Sequence, residues 1–238
     1  MTKIYEALDS ASKERAQTAA PRVNLPGKPL PKGMMDKLVS LYQRLETIME
    51  ERRCSVIAFS GGQQGDESAK LLCETAKLAA GRLNRRILLI SADGSPVIRQ
   101  LAPGGSGMGW DEMAQDGVLR EELFQPVSDS SLYVSTMSGG TGNLAAILSS
   151  PLVANVFDAL RQRFDMILIA APALDRSSDT VMLAPLTDGV VLVINAGGTR
   201  WQVAKRWIDQ ITVHKGKVLG VLFNKRRDYI PYFVYSRL

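Results

Sequence analysis

Cysteine and histidine are nearly missing: 238 residues include two cysteines, Cys54 and Cys73, and one histidine, His214. Two cysteines in apolar surroundings make no disulfide scaffold, so a reducing cytoplasm is the expected location. One histidine without a Cys/His cluster gives no zinc site. Long apolar runs are missing too. The longest, residues 166–174 and 189–196, reach about half of the roughly 20 residues that a spanning helix needs. The opening Met1-Thr2-Lys3-Ile4-Tyr5-Glu6 lacks the apolar core of a signal peptide. Work at a membrane is then expected from its surface or through a partner. Nor is there a large excess of one charge: 29 Lys+Arg against 24 Asp+Glu leave a net +5, too mild to argue for nucleic-acid binding. Disorder is excluded by 45% hydrophobic and 22% charged residues with mean hydropathy near zero. The length suits one α/β domain with a full core and short appendages.

The chain reads in four parts. Residues 1–18 carry an amphipathic pattern, with Ile4, Ala7, Leu8 and Ala11 on one face and Lys3, Glu6, Asp9 and Lys13 opposite. A docking helix, for the chain's own core or for a partner, and a membrane-surface helix are the two readings. Residues 19–33 form a linker in which Pro21, Pro26, Pro29 and Pro31 forbid regular helix. Residues 34–224 read as the folded domain, and residues 225–238 as a basic, aromatic tail. Within the domain, Met34, Leu38, Leu41, Tyr42, Leu45, Ile48 and Met49 recur at helical spacing. Strands are predicted at 55–60, 86–91, 132–135, 165–170, 189–195 and 217–223, and helices at 67–83, 152–163 and 201–213. A glycine-rich loop falls around residues 104–109. Continuous apolar strands alternating with helices predict an open, doubly wound, mostly parallel sheet with helices on both faces.

In such sheets ligands bind beyond the carboxyl ends of the strands. The first strand runs into Ser60-Gly61-Gly62-Gln63-Gln64-Gly65-Asp66-Glu67-Ser68 and opens a helix. Position and glycine content are those of a phosphate-cradling loop. The pattern G-x-x-x-x-G-K-[ST] is nevertheless not met. Asp66 stands where the lysine belongs, and Glu67 where the metal-binding hydroxyl belongs, with Ser68 one step late. A unit charge pair about 4 Å apart is worth roughly 4 kcal/mol at an effective dielectric of 20. Aspartate for lysine therefore turns attraction to a triphosphate into repulsion of similar size. Asp66 and Glu67 also suit a first helical turn on purely structural grounds.

The order of motifs resembles the bacterial tyrosine kinases of capsule and exopolysaccharide assembly (BY-kinases), within the MinD/ParA-type P-loop ATPases. The resemblance covers residues 34–238. It rests on the loop above and on Leu88-Leu89-Ile90-Ser91-Ala92-Asp93, similar to a strand ending in Asp-Ala-Asp. It rests further on Phe164-Asp165-Met166-Ile167-Leu168-Ile169-Ala170-Ala171-Pro172-Ala173, similar to a strand ending in Asp-x-Pro-Pro. Residues 144–151, 184–189 and 220–225 look like further family blocks.

The resemblance implies a P-loop NTPase fold, and it implies roles that this chain departs from. The lysine place holds Asp66. Ser91 replaces the first aspartate of the second motif, leaving Asp93, which also reads as a capping or turn residue. Ala170 replaces the aspartate that holds Mg²⁺ through water, two residues before Pro172. Asn224 matches the position that reads the nucleotide base, and a capping role serves it equally well. The family's ring-closing Glu-x-x-Arg-x-x-Arg helix motif corresponds to Ser40, Gln43 and Glu46, which puts ring closure by that route in doubt and leaves a homo-oligomer as an open state. The family's C-terminal tyrosine cluster, its autophosphorylation target, has a sparse counterpart in Tyr229, Tyr232 and Tyr235. A packed aromatic tail and a tail that docks on a partner or on anionic lipid headgroups are the competing readings.

Phosphoryl transfer depends on positioned cations and carboxylates. Three replacements, at Asp66, Ser91 and Ala170, lead to the expectation of a member without catalytic residues, metal or cofactor. It is expected to serve as a regulator or scaffold in exopolysaccharide synthesis and export. The family implies a membrane polysaccharide co-polymerase as partner, at the inner membrane; with so mild a net charge, no nucleic-acid partner is expected. The alternatives are an active ATP- and Mg²⁺-dependent tyrosine autokinase and a MinD/ParA-type positioning protein.

Overall fold

The computed structural model describes residues 32–52, 55–62, 65–83, 85–101, 109–128, 130–138 and 144–224. For the helical residues 32–37, 50–52, 65–67 and 82–83 it describes the backbone alone. The amphipathic segment 1–18, nearly all of the Pro-rich linker, Cys54, most of the glycine-rich loop and the tail 225–238 lie outside the described residues.

The elements alternate as the apolar pattern requires. In chain order they are α1 (Lys32–Arg52), β1 (Val56–Gly61), α2 (Gly65–Leu83), β2 (Ile87–Ser91), α3 (Pro96–Arg99), α4 (Trp110–Asp116), β3 (Gln125–Pro126) and β4 (Leu132–Ser135). Then follow α5 (Leu144–Leu148), α6 (Leu152–Arg163), β5 (Met166–Ala170), α7 (Asp179–Leu183), β6 (Gly189–Asn195), α8 (Trp201–Val213) and β7 (Val218–Asn224). Among the described residues the sheet has seven strands in the order β3-β4-β2-β5-β1-β6-β7. Every pairing is parallel except β3 with β4. That antiparallel edge and helix α4 were not legible in the sequence. The edge strand has only two residues, too few for an alternating pattern.

Alternate strand residues feed two cores, because side chains of a strand point to opposite faces. On one face Val56, Leu88, Ile167, Ile169 and Leu192 pack with Trp110 of α4, Phe157 of α6 and Trp207 of α8. On the other Ile57, Phe59, Leu89, Leu168 and Val191 pack with Tyr42 and Leu45 of α1 and with Leu72, Cys73 and Ala76 of α2. Helix α6 shows why the local sequence complies. Val153, Val156, Phe157 and Leu160 are its buried row, spaced by three, four and seven, and Arg161 and Arg163 sit in its last turn, where cations suit the helix dipole. Fully burying a side chain such as Leu160 contributes about 1.5–3 kcal/mol. Helix α4 stops because Gly117 adopts φ +74 and donates its N–H to the Met113 carbonyl at 2.8 Å.

Asp188 holds the start of the central strand. Its Oδ2 accepts the N–H groups of Ser55 and Val56 at 2.7 and 2.8 Å, and its Oδ1 pairs with Arg161 of α6 at 3.0 Å. One carboxylate so ties β1 to the approach to β6 and to the covering helix.

Candidate functional site

The carboxyl ends of β1, β2 and β5 lie side by side at the centre of the sheet, the place where α/β sheets bind ligands. They are stitched together there. Ser60 Oγ, fully buried, donates to the Pro172 carbonyl oxygen at 2.6 Å, and Thr180 Oγ1 donates to the same oxygen at 2.6 Å. Backbone bonds join Leu174 N–H to the Gly61 carbonyl and Ala92 N–H to the Ala170 carbonyl, at 3.0 and 2.8 Å.

Two loop glycines have steric causes of their own. A Cβ on Gly61 would overlap the Val193 carbonyl of the neighbouring strand β6. A Cβ on Gly62 would stand 3.2 Å from the Trp207 ring and 3.7 Å from Asp175 Oδ2. The indole of α8 thus leans on the loop, and an exposed carboxylate stands beside it. Helix α2 starts at Gly65, so Asp66 and Glu67 are in its first turn, with Asp66 the second helical residue rather than the one preceding the helix. The side chains of Asp66 and Glu67 lie outside the described residues. Ser68 is half-buried, its Oγ 3.3 Å from the Cβ position of Gly61.

The second motif is closed on itself. Ser91 Oγ donates to Asp93 Oδ1 at 2.9 Å. The Ser95 N–H reaches both, at 3.1 Å from Ser91 Oγ and 2.9 Å from Asp93 Oδ1. The Ser91 carbonyl accepts the Trp110 indole N–H at 3.1 Å. Serine and aspartate here order the turn that leads into α3, whose first residue is Pro96. In the third motif Ala170, 3% exposed, lies in register between Phe59 and Ser91, and Pro172 is buried. Asn224 ends β7 opposite Asn195, and its backbone carbonyl accepts the Ala196 N–H at 2.8 Å. Among the described residues no group of three or more His, Cys, Asp or Glu could hold a metal ion.

The ring-motif positions lie on α1. Ser40 and Gln43 are exposed, whereas Glu46 pairs with Arg85 at 3.1 Å and accepts the Tyr42 hydroxyl at 3.3 Å. Burial, reinforced by the Glu46 charge, pushes the Tyr42 phenol up to about 12. Tyr229, Tyr232 and Tyr235 are outside the described residues.

Nothing in the local sequence marked Trp207, Asp175, Thr180 or Asp188 as neighbours of these motifs. Each comes from an element remote in sequence, so only the closed sheet brings it near.

With that arrangement in view, the comparisons fall into one pattern. No protein-family model matches the chain. It is 33% identical over 79 residues to the succinoglycan biosynthesis transport protein ExoP of Rhizobium meliloti, covering 33% of this chain and 10% of that protein. It is 22% identical over 191 residues to the tyrosine-protein kinase YwqD of Bacillus subtilis, covering 78% of this chain and 80% of that one. Its relatives are bacterial tyrosine-protein kinases. The kinase domain of Escherichia coli ETK superposes with a TM-score of 0.72 at 14% identity, covering 82% of this chain and 77% of that one. MinD of Aquifex aeolicus follows with 0.55 at 18% identity, covering 77% and 72%. These structural likenesses establish the fold, the P-loop NTPase-like sheet of tyrosine kinases and of MinD and ParA proteins. The chain spans about a tenth of the length of ExoP.

Among the described residues no helix is long and apolar enough to cross a membrane.

Proposed function

We propose that this chain is a non-catalytic relative of the tyrosine kinases that acts as a regulator or scaffold in bacterial exopolysaccharide or capsule synthesis and export. The observation that carries the proposal is the chemistry present where the nucleotide's metal and phosphates are held in an active relative. Ala170 offers no side-chain oxygen. The Ser91 hydroxyl is engaged by Asp93 and by the Ser95 N–H. The loop carries Asp66 in the lysine's place, and Asp175 adds a carboxylate beside Gly62. These residues do not fit Mg²⁺-ATP. Phosphoryl transfer needs positioned positive charge, and here the lysine's place in the sequence holds an aspartate and the carboxylate of Asp175 stands beside Gly62.

The name of ExoP ties that relative to succinoglycan biosynthesis and transport, and the name CapA2B2 denotes a chimera carrying a kinase-like fold. Both support a membrane co-polymerase as the partner, reached from the cytoplasmic side of the inner membrane. In this reading residues 34–224 are the scaffold body, and the segments 1–18, 19–33 and 225–238 are its appendages. Self-association, if it occurs, uses a route other than the Ser40/Gln43/Glu46 face, because Glu46 is held within the chain by Arg85.

The test is calorimetric titration of the full chain with ATP and ADP, with and without Mg²⁺, followed by incubation with γ-labelled ATP. No binding heat and no label are expected. Mg²⁺-dependent label on Tyr229, Tyr232 or Tyr235 in the protein alone restores the autokinase reading. Genes for chromosome partition beside this one, in place of glycosyltransferases and an export channel, favour the positioning reading.

A further inference from the structure

Charge is placed unevenly along the folded domain. Residues 32–224 hold 20 Lys+Arg and 20 Asp+Glu, so the domain as a whole has no net charge. Five of those cations, Arg200, Lys205, Arg206, Lys215 and Lys217, fall within residues 200–217, with Asp209 the one carboxylate among them. That stretch is net +4, and the rest of the domain is net −4. All five cationic residues are exposed. The periodicity of α8 is the reason on the helix itself. Ala204, Trp207 and Ile211, spaced by three and four, turn inward, which leaves Lys205 and Arg206 on the outward side. The outward side is not uniformly polar. Trp201 is 67% exposed and Val213 77%. Both line a shallow groove of about 390 Å³, together with Lys205, Arg206 and His214. Trp110 and Trp207, by contrast, are buried.

We propose that the outward face of α8 docks directly on an anionic lipid bilayer. Trp201 and Val213 enter the headgroup region, and Arg200, Lys205, Arg206, Lys215 and Lys217 stand against the lipid phosphates. Charge complementarity calls for an anionic partner, and the cations flank both ends of a helix about 20 Å long, so that partner is an extended surface. Groups of four to eight Lys/Arg are the usual size of a patch that recognises anionic lipid. The exposed indole chooses between anionic surfaces. An acidic peptide answers the cations alone, whereas the membrane–water interface takes up the ring in its apolar part and the N–H at its wet edge. Neither signal is enough by itself. The exposed apolar area is small, and salt screens surface charge within about 8 Å at physiological ionic strength. Together they give reversible, salt-sensitive attachment. The inward row of α8 keeps its place against the sheet, so docking needs no unfolding and leaves Trp207 on the Gly62 loop.

Co-sedimentation of the full chain with lipid vesicles, read together with tryptophan emission, tests this. The chain should pellet with vesicles of phosphatidylglycerol and phosphatidylcholine but not with phosphatidylcholine alone. Its emission should shift to the blue on binding, a signal that reports Trp201 because Trp110 and Trp207 are already buried. Lys205→Glu combined with Arg206→Glu should weaken partitioning at least about tenfold. Trp201→Ser should weaken it too and remove the blue shift, with an unchanged urea midpoint. Salt at about 1 M, where screening acts within about 3 Å, should release the chain. Failure to pellet with the phosphatidylglycerol vesicles overturns the proposal. So does pelleting without a blue shift, which keeps Trp201 out of the bilayer. Binding that survives the Lys205/Arg206 reversal but is lost when Lys225, Arg226 and Arg227 are all changed to Glu assigns the contact to the tail and overturns it as well. Tighter binding to polyglutamate or to duplex DNA than to the vesicles replaces the bilayer by a protein or a nucleic acid.

Discussion

The carbonyl oxygen of Val193 occupies the space that a Cβ on Gly61 would need. The two residues are paired in register between β1 and β6, so the conflict is with backbone that cannot rotate away. A glycine at the end of this strand is therefore required by sheet packing, with no phosphate involved.

Gly61→Ala should destabilise the fold by about 1–3 kcal/mol, the usual cost of overpacking a tight interior. Urea denaturation would show a lower midpoint at an unchanged slope. A midpoint equal to wild type means that β6 moves aside easily, and the steric account fails.

Asp188→Ala should cost about 1–3 kcal/mol, because two backbone donors at the head of β1 and the Arg161 guanidinium lose one acceptor together. Asp188→Asn keeps an amide oxygen for the two N–H groups that share Oδ2, loses only the pairing with Arg161, and should recover part of that loss. The comparison is made by thermal melting of both variants, and equal melting temperatures for Asn and Ala would refute the hydrogen-bond explanation.

Alkaline pH should unfold the face beneath α1 and α2. Burial raises both the Tyr42 phenol and the Cys73 thiol to about 12, above their ordinary values of roughly 10 and 9. The neutral forms are thus favoured in the folded state. Their contribution is complete below the unfolded values and is lost as pH climbs from about 9 towards 12. Tyr42→Phe should flatten the decline of the urea midpoint between pH 9 and 11 in particular above pH 10. Identical pH profiles for variant and wild type would remove Tyr42 from the account.

Asp66→Lys alone should not create ATP binding detectable by calorimetry, because Ser91 and Ala170 still leave a metal unsupported. Adding Ser91→Asp and Ala170→Asp restores the remaining charges. Tight Mg²⁺-ATP binding by the single variant would show that the other two positions were irrelevant.

Much of the fold was legible because it rests on apolar repetition. The runs at 166–170 and 189–194 have no polar interruption, which only strands buried on both faces tolerate, and the row Val153, Val156, Phe157, Leu160 has one helical solution. The order of the glycine loop, Ser91/Asp93 and Ala170/Pro172 was likewise readable, since each motif is contiguous. Helix α2 began two residues before its expected start, at Gly65, since composition marks helix ends poorly. Helix α4 escaped notice because a glycine-rich stretch precedes it and it has only seven residues.

The chain by itself determined which residue types stand at the ends of β1, β2 and β5, and hence which charges are missing there. The tertiary structure alone decided what those residues do instead. Ser91 and Asp93 are two residues apart, yet their closed turn depends on Ser95 and on the Trp110 indole folding over it. Gly62 faces Trp207, more than a hundred positions away, and Glu46 finds its cation in Arg85. Sequence spacing fixes periodicity along one element, but contacts between elements arise only when burial of two opposite strand faces draws remote helices onto one sheet.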